Sequence, residues 1–275
     1  MNTATETRTG RSAGGLLDSP IVGMSPWILF SVVVGPGRFE IAVGAALALA
    51  AALVVIGRIR APGSSWKILE VSDVVFFAGL TVIGALASAG TLTWLETYAG
   101  EVSNIALVVI AFGSMAVGTP FTLQYAREQT PRNFWHTPEF VRTNYLLTGV
   151  WGAAFLVAAL AGLYGDLVLH NPNNLWTGWI IQIGAIIAAV RFTGWYPDVV
   201  RARAARARGD DVPVPTVRAF LLPLAGYLVP VGIVLLAADD GPAWVGIALV
   251  AGGVVLTRSL RRTEHEEEAR QPGRV

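Results

Sequence analysis

Residues 39–56 read FEIAVGAALALAAALVVI, and Glu40 is the only charged side chain among them. A continuously apolar run of this length approaches the ~20 residues that a helix needs to cross the hydrocarbon of a bilayer. Inside hydrocarbon the backbone N–H and C=O groups must be satisfied within the segment, which a helix does by itself. A barrel strand would alternate apolar and polar side chains, and this run does not alternate.

Seven further apolar segments lie on either side of it: Ile21–Val34, Val71–Ala89, Val102–Gly118, Tyr145–Leu163, Leu175–Phe192, Ala219–Ala237 and Pro242–Thr257. The first and last are short. Gly35-Pro36-Gly37 breaks the first sharply, which leaves a tilted helix and a re-entrant half-helix both open. The expected fold is all-α: a polytopic transmembrane bundle of about eight spans with both termini cytoplasmic. Residues 1–19, rich in Thr, Ser, Gly and Ala, bury too little apolar surface to offset ordering and read as a disordered tail. The helical domain then covers 20–258, with 217–258 as a C-terminal hairpin, and 259–275 form a charged tail.

Composition agrees. The chain is 53% hydrophobic and 14% charged, with a mean hydropathy of +0.56, whereas a soluble domain carries about 25% charged residues. A net charge of +1 gives no electrostatic argument for a nucleic-acid partner. The absence of cysteine removes disulfides, thiolate metal sites and cysteine nucleophiles together.

Orientation follows from the bases. If all eight segments cross, every base except Arg38 and Arg191 falls on one side, from Arg8 and Arg11 through Arg58, Arg60 and Lys67 to the C-terminal tail. The intervening connections carry Glu96, Glu101, Asp166, Asp239 and Asp240 instead. Such asymmetry places the arginine-rich side in the cytoplasm. Trp94, Trp176 and Trp179 fall at outer ends and Trp66, Trp135 and Trp195 at inner ends, as aromatic belts do. Gly44, Ala48 and Ala52, and likewise Ala154, Ala158 and Gly162, form small-residue ridges on which helices can approach closely.

The longest polar interruption, 118–144, reads GTPFTLQYAREQTPRNFWHTPEFVRTN. Thr119-Pro120 and Thr137-Pro138 each set a capping hydroxyl before a proline at the first helical position. They predict a short helix over Phe121–Glu128 and another starting near Pro138. Aromatic residues interleaved with charge suit a segment lying among lipid headgroups. Tyr125, Arg127, Arg132, Trp135, His136 and Arg142 are therefore the candidate cytoplasmic docking residues, for a protein or for anionic lipids. The pentads Phe121–Tyr125 and Phe192–Tyr196 (FTLQY and FTGWY) echo each other at an offset of 71, as a parallel repeat would.

Catalytic signatures are missing. His136, His170 and His265 lie outside the spans without metal-ligand spacing, and no nucleophile motif, phosphate loop or dinucleotide fingerprint occurs. No cofactor, metal or catalytic residue is expected. Ionisable residues in spans are functional candidates by default, which singles out Asp73, preceded by Glu70, and Arg191; Asp73 suits a helix N-terminus and Arg191 snorkelling to the headgroups, with pairing between Asp73 and Arg191 as the sharper alternative. Asn104, Asn144 and Gln182 suit interhelical hydrogen bonds, or the lining of a polar cavity if the chain transports solutes.

Pro26-Trp27-Ile28-Leu29-Phe30, Trp66-Lys67, Gly118-Thr119-Pro120-Phe121, and Arg142-Thr143-Asn144-Tyr145-Leu146 leading into Trp151-Gly152-Ala153-Ala154-Phe155 together resemble the bacterial intracellular septation protein A family. The resemblance covers residues 20–200, the first six segments, and carries over no catalytic residue. It implies a multi-pass protein of the bacterial inner membrane, associated with cell division or the cell envelope, acting through contacts with other membrane proteins or lipids. A small-solute or lipid transporter is the second reading and a lipid-modifying enzyme the third.

Overall fold

The computed structural model describes residues 20–60, 65–171, 174–238 and 242–269. The N-terminal tail with Arg8 and Arg11, the pair Asp239-Asp240 and the last six residues lie outside these. Every regular element described is helical: α1 Pro20–Gly23, α2 Ser25–Val33, α3 Phe39–Arg60, α4 Ile68–Leu86, α5 Ala89–Ala116, α6 Phe121–Glu128, α7 Pro138–Leu167, α8 Ile181–Ala207, α9 Val217–Ala238 and α10 Ala243–Ala269. A 3-10 turn covers Arg132–Phe134 and a π-helical turn Trp176–Ile180. Among the described residues seven helices are long and apolar enough to cross a membrane, and the protein is an all-α, multi-pass membrane bundle. The chain divides into two compact units, one ending at Thr148 and the other beginning at Gly149, inside α7.

In the first unit, α1 and α2 together make a 14-residue apolar segment, Pro20–Val33, about 21 Å of helix at 1.5 Å per residue. That is short of the ~30 Å hydrocarbon thickness. Its contacts nevertheless fix its direction. Gly23 lies against Leu69, Trp27 packs on Phe76 and Phe77, and Phe30 packs on Phe77 and Phe39. The segment therefore runs beside α4 and parallel to it. After the turn at 34–38, Phe39 starts α3 beside Gly84, near the far end of α4. α3 then returns, bringing Arg58 over Trp66.

α3 packs through Phe39, Ala42, Val43, Ala46 and Ala50, while Gly44, Ala48 and Ala52 point outward. The small-residue ridge expected from the sequence is on the opposite face. Lipid is as apolar as the helix interior, so no polar face marks which side packs. In α7 the expected ridge does hold, with Ala154, Ala158 and Gly162 all buried.

Antiparallel neighbours also build the second unit. Gly165 of α7 lies against Thr177, and Trp151 Nε1 donates to Thr193 Oγ1 on α8 at 2.9 Å. α8 meets α9 through Trp195 Nε1 donating to the Thr216 carbonyl at 2.9 Å and Phe192 edge-on to Phe220. α9 and α10 approach so closely that a Cβ on Gly232 would stand 2.6 Å from the Gly246 carbonyl oxygen. The two echoing pentads are not structural equivalents: Phe121–Tyr125 lies in a separate short helix, and Phe192–Tyr196 in the middle of the continuous α8. The first part of the charged C-terminal segment continues α10 as helix to Ala269.

Candidate functional site

The polar side chains of the first unit converge where α6 seats against the start of α4. α6 begins after Gly118, whose φ of +77° is the left-handed conformation that glycine adopts readily. Its Phe121 N–H donates to Ser114 Oγ at 3.1 Å. Thr122 Oγ1 lies 2.8 Å from Thr148 Oγ1 and donates to the Asn144 carbonyl at 2.9 Å. Phe121, Thr122, Leu123 and Tyr125 are buried. The short helix foreseen over Phe121–Glu128 is therefore present, but it is packed into the bundle rather than laid among headgroups.

Gln124 fastens α6 to α4. Its Oε1 accepts from the Ile68 N–H at 2.7 Å and its Nε2 donates to the Trp66 carbonyl at 3.1 Å. Ile68 opens α4, where backbone N–H groups lack intrahelical acceptors, so the amide caps the helix from another element. Lys67, the only lysine in the chain, adds a second fastening. Its Nζ lies 2.8 Å from Glu128 Oε2, 3.1 Å from Glu70 Oε1 and 4.6 Å above the Tyr125 ring. Burial pulls its pKa down, but the hydrogen bond to Glu128 and the charge of Glu70 outweigh that, and the net shift is upward.

Tyr125 is almost wholly buried at 1% exposure. It was expected in the docking loop and points inward instead, because its ring forms the floor under Lys67. Burial pushes its phenol pKa well above the ordinary value, with Glu70, Asp73 and Glu128 adding to the effect. The hydroxyl is a buried group with no hydrogen-bond partner among the described residues. Gly23 makes room for it: a Cβ there would collide with that hydroxyl.

Asp73 lies about a turn and a half into α4 at 1% exposure and accepts a 2.6 Å hydrogen bond from Trp27 Nε1. Arg191, on the exposed side of α8, donates to the Ala219 carbonyl at 3.5 Å. Each member of the anticipated Asp73–Arg191 pair thus has a partner inside its own unit. Asn144 is buried; its Nδ2 donates to the Phe140 carbonyl at 2.9 Å, and its Oδ1 has no partner among the described residues. Gln182 Nε2 donates to the Thr177 carbonyl at 2.9 Å across the π-helical turn, and Asn104 is half-buried on α5. In the second unit, a hollow of about 240 Å3 between Trp176, Leu235, Leu236, Pro242 and Val245 has a mainly apolar lining.

The remaining docking candidates face outward. Arg132, His136 and Arg142 are exposed, and Trp135 is half-buried with its Nε1 donating to the Thr130 carbonyl at 2.8 Å. The guanidinium carbons of Arg127 and Arg132 each lie 5.6 Å from the Trp135 ring centroid, within cation–π range. Among the described residues no group of three or more His, Asp or Glu gathers as metal ligands would.

Sequence reasoning missed Trp27, Gln124 and Glu128 as members of this cluster and read Lys67 as a topological charge and part of the Trp66-Lys67 motif. One signal was available for Lys67: a lone lysine in an arginine-rich chain. Trp27, next to Pro26 in an apolar run, carries none. The assembled groups form a clasp that pins a short helix to the end of a span; they present no nucleophile with a neighbouring base. No protein-family model, curated protein or solved structure matches this chain.

Proposed function

We propose that this chain is a multi-pass protein of the bacterial cytoplasmic membrane that acts by contact with other envelope proteins or lipids, as its resemblance to the septation protein A family implies. The arginine-rich end, with Lys67 and the loop after α6, faces the cytoplasm. The observation that carries the reading is a division of labour between polar groups. Asp73, Lys67, Glu70 and Glu128 are engaged with one another or with Trp27 and Tyr125. Arg132 and His136 are displayed on the loop between α6 and α7, and Arg142 in the first turns of α7.

A photocrosslinker placed at His136 in native membranes tests it. A discrete protein adduct, lost when Arg132 and Arg142 are replaced by glutamine, is the expected result. Its absence in growing and dividing cells alike would sink the idea.

Transport of a small solute is the second reading, favoured by the carboxyl of Asp73 within a span, where such groups commonly mark ion or solute paths. In proteoliposomes, Asp73→Asn abolishes proton-coupled flux under that reading. It leaves the crosslink at position 136 unchanged under the first.

A further inference from the structure

We propose that Arg127 and Arg132, held beside Trp135, bind the phosphate headgroup of an anionic phospholipid in the leaflet that the loop faces. This rests on the contact reading above and gives the loop a ligand class. Three features of the loop point to it.

Both guanidinium groups lie against a single indole, and the hydrogen bond from Trp135 Nε1 to Thr130 holds the ring in place. Arginine presents a planar fork of N–H donors that matches phosphate oxygens. The Nε of Arg127 is buried and has no acceptor among the described residues. Nor is there an acid to serve these bases: among the described residues no ion pair involves Arg127, Arg132 or Arg142, and Glu128, next to Arg127, is held by Lys67.

The second feature is depth. α6 is seated on the first residues of α4, and α7 starts four residues after Phe134, so the loop lies where two spans leave the hydrocarbon. Phe134 is 50% exposed there, suited to contact with acyl–glycerol carbons beside a bound phosphate. Third, the pairing recurs at the same end of the unit: Arg58 stacks 3.7 Å over Trp66, itself 62% exposed. A partner protein's acidic segment would satisfy the arginines, but it gives no reason for exposed aromatics at headgroup depth. The bilayer supplies both halves of the recognition.

Native mass spectrometry of the full chain in neutral detergent, titrated with phosphatidylglycerol or phosphatidylcholine, tests the site. Selective retention of phosphatidylglycerol is expected, weakened about fivefold by each of Arg127→Gln and Arg132→Gln, as a charge near an anionic surface implies. Arg258→Gln with Arg261→Gln, exposed on α10, serves as a charge-matched control that leaves it unchanged. Equal binding by wild type and the Arg127/Arg132 double variant overturns the proposal, as does an equal loss in the control pair. Glycerol phosphate competing as well as the lipid also overturns it, since the site would then recognise phosphate alone. Circular dichroism confirms that the variants stay folded, and Arg127→Lys with Arg132→Lys, which keeps the charge and loses the fork, falls between. Lipid selectivity without a protein crosslink at His136 removes only the protein half of the contact reading. A crosslink without selectivity removes only this site.

Discussion

The indole Nε1 of Trp27 donates a 2.6 Å hydrogen bond to Asp73 Oδ1, joining the first apolar segment to α4 through two fully buried side chains. A hydrogen bond to a carboxyl removed from water is worth more than an exposed one, because a group left without its partner bears the full desolvation penalty. Trp27→Phe should therefore destabilise the first unit by about 2 kcal/mol, and Trp27→Phe combined with Asp73→Leu should lose less than the sum of the two. A double-mutant cycle read by denaturant unfolding in micelles measures the coupling; additive losses would show that the bond contributes nothing specific.

Gly23 and Tyr125 predict a rescue. A methyl at position 23 has no room while the Tyr125 hydroxyl is present, so Gly23→Ala should lose about 1–3 kcal/mol by overpacking. Tyr125→Phe removes a buried hydroxyl that has no partner, and should be neutral or stabilising by about 1 kcal/mol. In the Tyr125→Phe background the cost of Gly23→Ala should shrink, and unchanged melting-temperature differences between the two backgrounds would refute the contact.

Lys67 gives a pH dependence with a definite sign. Its folded pKa is raised, so its contribution is fully present below the unfolded lysine value of ~10.4 and is lost as pH rises through the folded value. Lys67→Met should cost about 1–2 kcal/mol near neutrality, a figure reduced for the partial exposure of its acids. The gap between wild type and variant should narrow at strongly alkaline pH. Tyr125, also raised, acts in the same direction, so the comparison belongs in the Tyr125→Phe background. A gap that closes between pH 5 and 8 would contradict the assignment.

Adjacent glycines in α10 make a matched pair. A Cβ on Gly253 would meet Val229 Cγ2 at 2.9 Å, whereas one on Gly252 meets nothing within 4 Å. Gly253→Ala should weaken the α9–α10 hairpin by about 1–3 kcal/mol, while Gly252→Ala should be neutral or gain up to ~1 kcal/mol in helix propensity. Equal effects on thermal unfolding would argue against close packing at this crossing.

Topology can be tested by labelling, since the chain has no cysteine. Ser88 and His136 are both exposed, and they lie at opposite ends of the first unit. Ser88→Cys should react with an impermeant maleimide from outside whole cells, and His136→Cys only after lysis. Ser103 is buried on α5 and unsuited to the experiment.

Seven of the eight expected spans were legible because length and apolarity are direct requirements of the bilayer, although α5 opens at Ala89 and takes in Glu96 and Glu101, which the sequence suggested for a connection. The arginine distribution then predicted which ends lie together, and in the first unit Trp66, Lys67 and Tyr125 do meet at one end. What could not be read was which face of a span packs. Gly44, Ala48 and Ala52 and their neighbours Ala42, Ala46 and Ala50 have the same spacing and much the same chemistry, and only the three-dimensional arrangement separates them. The inward turn of Tyr125 was hidden for a related reason. A tyrosine beside Arg127 and Glu128 reads as interfacial unless one knows that Lys67, almost 60 positions earlier, lies across its ring.

The seating of α6 also bears on how the protein is made. Eight residues are too few to partition into the bilayer as a span, so the insertion machinery releases Phe121–Glu128 as a loop. Its buried face rests partly on Asn144 and Thr148, which are synthesised later and belong to the next helix to be inserted. The contacts of α6 with Ser114, Ile68 and Lys67 lie with residues made before it, so α7 completes the seating of α6 through Thr122 rather than beginning it.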